Sequence, residues 1–148
     1  QSQGFKNLYI SVFYLKNLIK EFLKKNNYFS SKIKFLEEKT PLGTIGSLKL
    51  IKKISKNFLL LNCDVISGSD LNEMLKFHVK KKAFITIGIK NYKYQNPYGV
   101  VNTSSGKFKS FEEKQEINFN INAGIYAINK GVIKMIRKNQ CLANFYDS

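Results

Sequence analysis

The chain has 148 residues, and its 25 Lys and Arg against 10 Asp and Glu leave a formal net charge of +15. Hydrophobic residues are 43% and aromatics 14%, enough for a core, which excludes the low-hydrophobicity signature of intrinsic disorder. The length suits one domain or part of one, and no apolar run approaches the roughly 18–20 residues that span a bilayer.

Phe5 to Val12, rich in β-branched and aromatic residues, predicts a strand. Tyr14 to Lys25 predicts a helix, because Leu15, Leu18, Ile19, Phe22 and Leu23 recur at spacings of three and four. Lys32 to Glu38 is a second strand, Thr40 to Thr44 a loop, and Ile45 to Ile54 a second helix. Asn57 to Cys63 is a nearly continuous apolar run, as suits a strand buried on both faces of a parallel sheet. Ser69 and Asp70 can cap a helix reaching about Lys82, with Met74, Leu75, His78 and Val79 on one face. Ala83 to Ile89 is a strand. Tyr98 to Thr103 and Lys107 to Glu112 form a hairpin around Ser104-Ser105-Gly106. Ile121 to Ile128 is a last strand and Lys130 to Lys138 a last helix.

Strands alternating with helices imply an α/β fold: a Rossmann-like, mainly parallel mixed sheet flanked by helices, with an antiparallel hairpin insertion. Ligands of such sheets bind beyond the carboxyl ends of the strands. The positions to inspect are therefore Glu37, Glu38 and the Pro41–Thr44 loop, then Asp64, then the segment around Asn122 and Gly124.

The charge first suggests nucleic acid or a membrane surface. However, Arg137 is the only arginine, and bidentate readers of guanine or phosphate use arginine. The Lys, Asn and Ile excess is what an A+T-rich coding sequence produces. Cys63 and Cys141 are widely separated, which gives neither a disulfide framework nor a zinc spacing and suits a reducing cytoplasm. Cys63 reads as a small buried apolar residue. His78 is the only histidine, so no His-based metal cluster or triad can be built within the chain, and its helix face makes it a packed side chain.

Locally, each candidate residue leaves two readings open. Asp64 ends the most apolar strand, where a carboxylate either holds a hard divalent cation or starts a loop. Gly43 and Gly46 precede or open a helix, where backbone can approach a ligand or simply turn, and they match neither the P-loop nor the dinucleotide fingerprint. Glu112-Glu113-Lys114 can bind a polyol with a phosphate, or be a solvated charge run. Gly99 and Gly124 each sit in a strand, marking a bulge or a close backbone approach.

The order of these blocks along the chain is more specific. Glu37-Glu38-Lys39-Thr40-Pro41-Leu42-Gly43-Thr44-Ile45-Gly46-Ser47-Leu48 is followed by Leu61-Asn62-Cys63-Asp64-Val65-Ile66 and Pro97-Tyr98-Gly99-Val100-Val101. Then come Phe111-Glu112-Glu113-Lys114 and Ile121-Asn122-Ala123-Gly124-Ile125-Tyr126. In this the sequence resembles the sugar-phosphate nucleotidyltransferases, with wording closest to the mannose-1-phosphate guanylyltransferase branch. The resemblance covers about residue 4 to residue 136.

The resemblance implies that Glu38, Gly43 and Thr44 lie against the nucleotide base, and that Asp64 holds Mg²⁺ beside the nucleotide phosphates. It implies that Gly99 meets the sugar through its backbone, Glu113 accepts from sugar hydroxyls, and Asn122 donates to one near Gly124. Lys114 would neutralise the phosphate, making Asp64 and Lys114 the catalytic pair. The implied reaction transfers a nucleoside monophosphate from a nucleoside triphosphate, GTP above all, to a sugar-1-phosphate, and releases pyrophosphate. Positioning and charge neutralisation carry such a step, so no covalent nucleophile is needed.

Two pieces of the family pattern are not seen: the Gly-rich loop after the first strand, and a later metal-binding carboxylate, for which Asp147 is no substitute. The chain also begins Gln1-Ser2-Gln3-Gly4, without Met or a signal pattern. The expectation is a single, incomplete nucleotidyltransferase domain, the middle of a larger cytoplasmic enzyme, inactive by itself. A missing first strand would leave an apolar central sheet edge, which invites a homo-oligomer. The alternatives are a non-catalytic regulatory homologue that binds nucleotide-sugars and a basic nucleic-acid-binding domain. The leading reading involves no nucleic acid and no membrane.

Overall fold

The structure is a computed structural model that describes residues 3–26 and 32–138. Cys141 and Asp147 lie outside the described residues. Asn7–Val12 forms β1, which pairs in parallel with β2, Lys32–Glu37, from Asn7↔Lys32 to Val12↔Glu37. Parallel neighbours need a crossover, and α1, Lys16–Lys25, supplies it. The helix is where its periodicity predicts, but none of its residues is buried, and Leu18 and Phe22 are 61% and 56% exposed.

The predicted helix from Ile45 to Ile54 is not continuous. A four-residue α2, Gly43–Gly46, passes into a 3₁₀ turn, Ser47–Leu50, and Ile51 is already extended with ψ 117°. Gly46 and Ser47 at the centre and β-branched Ile45, Ile51 and Ile54 are weak helix formers. Burial holds the segment instead: Ile45, Leu48 and Ile51 all enter the core.

β3, Asn57–Leu61, is half-buried from Asn57 to Leu60, not buried on both faces as predicted, and Leu61 is exposed. It ends two residues before Cys63, which therefore sits in a turn and is exposed, against the expectation that it is buried. α3, Leu71–Lys81, has each orphan amide of its first turn satisfied. Gln3 Oε1 accepts from Leu71 N at 2.7 Å, and Asp70 Oδ1 accepts from Asn72 N and Glu73 N at 2.8 and 3.0 Å. Met74 N reaches Asp70 O at 3.2 Å. His78 is buried on the predicted face of α3, but Val79 is exposed.

β4, Ile85–Gln95, and β7, Glu116–Asn129, both outrun their predicted lengths, because polar residues such as Lys90 and Asn118 continue a strand as readily as apolar ones where one face meets solvent. β3, β7 and β4 form a sheet in that order. β5, Val100–Ser104, and β6, Lys107–Glu112, make the predicted antiparallel hairpin, with a bulge at Asn102/Thr103. Its two turn residues, Ser105 and Gly106, both have positive φ, 50° and 74°, the backbone that two-residue hairpin turns require. α4, Gly131–Lys138, follows β7 and packs Val132, Ile133 and Ile136 onto Tyr126 and Ile128 of that strand.

The chain divides into two compact units. One runs up to Thr86 and resumes at Tyr126; it contains the β1–β2 pair and the hydrophobic core. The other is Ile87–Ile125 and contains the β5–β6 hairpin. No helix among the described residues is long and apolar enough to cross a membrane.

Candidate active site

In the first unit, Glu37 and Glu38 stand where β2 ends, and their neighbours separate their roles. Glu37 ion-pairs with Lys16 at 3.3 Å and with Lys20, both on α1. The Lys20 ammonium, with Lys16, holds the Glu37 carboxyl below the usual carboxylate range. Glu38 turns the other way. Its N–H donates to Val12 O at 3.0 Å, prolonging the β1–β2 pairing by one bond. Its Oε1 accepts from the Ser11 hydroxyl at 2.5 Å, and its Oε2 accepts from Leu42 N at 2.9 Å. The loop from Lys39 to Leu42 is thus closed by a carboxylate at its own start. Gly43 leaves the loop with φ 71°, a left-handed conformation that L side chains rarely adopt. Thr44 is half-buried in the first turn of α2.

Asp64 lies three residues past β3 in an exposed turn and makes no hydrogen bond or ion pair with the described residues. No group of three or more His, Cys, Asp or Glu that could hold a metal occurs among them. That arrangement does not suit an all-protein cage. It does fit Mg²⁺, which characteristically takes one or two carboxylates, several waters and substrate phosphates.

In the second unit, Glu112 ends β6 and Glu113 follows it, and the two have different surroundings. Glu112 Oε1 accepts from Asn102 Nδ2 at 3.1 Å, across the hairpin, and the same amide reaches Ser110 Oγ at 3.0 Å. Glu113 and Lys114 follow in the turn and make no hydrogen bond with the described residues. Lys114 has φ 49°, a backbone region in which a non-glycine residue is uncommon. An acceptor-only carboxylate beside an ammonium with three donors suits a polyol that carries a phosphate.

Gly99 lies just before β5, and the aromatic ring of Phe111 fills the place where a Cβ would project. Glu113 Oε2 lies 3.1 Å from the same point. The close approach predicted at Gly99 is therefore made by Phe111, a neighbour that only the hairpin register of Val101 opposite Phe111 reveals. Asn122 Oδ1 accepts from Gly124 N at 2.9 Å, and Gly124 has φ 69°. This fixes the amide group of Asn122 against the left-handed backbone of Gly124 within β7.

The remaining reactive side chains take no part in either set. His78 is 1% exposed; its Nδ1 meets Thr86 Oγ1 at 2.8 Å and its Nε2 has no partner. Burial pushes its pKa down, so the ring is neutral. Arg137 donates to Ile51 O at 2.8 Å and to Lys49 O at 3.2 Å, capping the 3₁₀ turn with its guanidinium.

The family model for nucleotidyl transferases matches residues 1–146. The chain belongs to the nucleotidyl transferase family. Within that family it is 37% identical over 129 residues to the probable mannose-1-phosphate guanylyltransferase 3 of Arabidopsis thaliana, covering 81% of this chain and 38% of that protein. It is 35% identical over 142 residues to the mannose-1-phosphate guanyltransferase of Yarrowia lipolytica, covering 90% and 39%. The D-glycero-alpha-D-manno-heptose 1-phosphate guanylyltransferase of Aneurinibacillus thermoaerophilus is 31% identical over 135 residues, covering 89% and 58%. The chain thus spans between 38% and 58% of the length of these relatives. The crystal structure of HddC from Yersinia pseudotuberculosis superimposes with a TM-score of 0.66 at 24% identity, over 90% of this chain and 60% of that one. A crystal structure of HddC complexed with GMP-PN gives 0.65 at 23%. The nucleotidyltransferase fold expected from the motif order is therefore the one observed.

Proposed function

We propose that this nucleotidyl transferase chain handles nucleotide and sugar phosphate in a sugar-1-phosphate guanylyltransferase. An oxygen of the sugar-1-phosphate attacks the α-phosphorus of GTP, a new P–O bond forms, and pyrophosphate leaves. The observation that carries this reading is the 37% identity over 129 residues to a probable mannose-1-phosphate guanylyltransferase. The HddC complex with GMP-PN supports guanine as the base.

Both reactants are anions, so the work of the protein is positioning and charge neutralisation. Glu38, Gly43 and Thr44 serve the base, Gly43 and Thr44 through the backbone at the loop's exit. Asp64 would hold Mg²⁺ with phosphate oxygens and water, and the bound ion supplies positive charge at the phosphates. Lys114 neutralises the phosphate of the sugar, and Glu113 beside it accepts from sugar hydroxyls. Asn122, with Oδ1 engaged by Gly124, donates from its amide nitrogen to a hydroxyl, and Gly99 meets the sugar through its backbone. No side-chain nucleophile is required.

Pyrophosphate release by the complete protein, with GTP and mannose-1-phosphate against other nucleotide and sugar-phosphate pairs, tests the reading. Turnover is expected, with Asp64→Asn and Lys114→Ala each lowering kcat/KM by about 100-fold or more. No turnover with any pair, or turnover indifferent to both substitutions, overturns it. Tight binding of nucleotide-sugars without pyrophosphate release would make the protein a regulatory homologue instead.

A further inference from the structure

We propose that Ser11 and Glu38 form a latch that sets the shape of the base-binding loop, and that Glu38 positions this loop without itself reading the base. The proposal rests on the guanylyltransferase reading above and changes the part Glu38 plays in it.

The latch follows from the hydrogen bonds. Ser11 lies on β1 and Glu38 just past β2, and parallel pairing sets Ser11 beside Leu36. The Ser11 hydroxyl has one hydrogen to donate. Glu38 Oε1 stands at 2.5 Å and Leu36 O at 3.5 Å, so the carboxylate receives it. The other oxygen, Oε2, accepts from Leu42 N at 2.9 Å. Each oxygen thereby already takes one hydrogen bond from the protein. Both bonds are charge-assisted, which makes them stronger than their neutral counterparts. The Leu42 bond closes a ring from residue 38 to residue 42 immediately before Gly43, whose φ of 71° directs the chain into α2, and the Ser11 bond ties that ring to β1. The backbone presented at Gly43 and Thr44 inherits its position from this closure.

A carboxylate reader and a carboxylate latch respond differently to Glu38→Gln. Guanine offers N1–H and N2–H donors to a carboxylate. An amide reverses one of those contacts, and sites built around a hydrogen bond discriminate steeply when it is lost. A latch survives the change, because the amide oxygen still accepts from Leu42 N and the amide NH₂ can donate to Ser11 Oγ.

Steady-state kinetics of the complete protein with GTP and ATP distinguish the two. We expect Glu38→Gln to keep the GTP-to-ATP ratio of kcat/KM within about 3-fold. Ser11→Ala should raise the KM for GTP by about 3- to 10-fold, with kcat and the KM for the sugar phosphate little changed. Ser11→Thr, which keeps the hydroxyl, should restore it. A loss of GTP preference of about 10-fold or more in Glu38→Gln overturns the latch in favour of direct reading. An unaltered KM in Ser11→Ala overturns the part given to Ser11. Amide hydrogen exchange at Leu42 tests the latch without any catalysis. Its protection should persist in Glu38→Gln and fall about 10-fold or more in Glu38→Ala. Unchanged protection in Glu38→Ala overturns the latch even if turnover is observed; changed protection in a protein without turnover upholds the latch and defeats the guanylyltransferase reading.

Discussion

Gly99 and Phe111 are 12 positions apart in the chain and share one space in the hairpin. Adding a methyl group at Gly99 must move the ring, and Phe111 is 55% exposed, so it can swing outward. Gly99→Ala should therefore destabilise by only about 1 kcal/mol, while aromatic NMR signals of Phe111 shift and the KM for the sugar phosphate rises. Gly99→Ala combined with Phe111→Ala should regain part of the lost affinity; an additive loss would separate the two residues. His78 supplies a second test. Burial depresses its pKa in the folded state, so the unfolded chain binds more protons between that lowered value and about 6.5. Its contribution to stability is thus complete above pH of about 6.5 and is lost as pH falls below it. The melting temperature should fall with acidification across that window, and His78→Gln should flatten this part of the profile. At this scale motif order nominates the candidate residues. Their partners were not: Ser11 meets Glu38 only through the parallel register, and Phe111 meets Gly99 only through a cross-strand approach.

The elements were most legible where short-range chemistry decides them. Asp70 caps α3 as its position predicts, and Asp70→Ala should destabilise by about 1 kcal/mol in chemical denaturation. Ser105-Gly106 turns the hairpin because both residues take positive φ. Legibility failed where long-range burial decides. The segment after Gly43 has apolar spacing suited to a helix, yet it tightens into a 3₁₀ turn under α4. Arg137 is the element that fastens it, reaching carbonyls 86 and 88 residues away. Arg137→Ala should cost about 1.5–3 kcal/mol, since two carbonyls lose a charged donor. Arg137→Lys should recover only part, because an ammonium lacks the planar fork. Equal denaturation midpoints for wild type and Arg137→Ala would sink this account. The amphipathic pattern of α1 predicts its helical state and its polar stripe, but not burial of the apolar stripe, since periodicity alone does not name the surface that covers it.

For the molecule as a whole, +15 in 148 residues ceases to be a pointer to nucleic acid. The sole arginine is occupied in holding helical turns together, and among the described residues the acidic partners of lysine are Glu37, Glu73 and Glu116. Most lysines are therefore left to repel one another through solvent. Raising salt from about 10 mM to 300 mM should increase the melting temperature by about 2–5 °C, because screening relieves this repulsion. A fall over the same range would mean that the few ion pairs outweigh it. The whole chain also contains a single imidazole, sealed at the inner face of α3 against Thr86. Its ring protons give one pair of resonances that need no assignment experiment and no labelling. They form a spectroscopic gauge, already placed inside the first unit, of whether a ligand bound at the surface is felt in the interior.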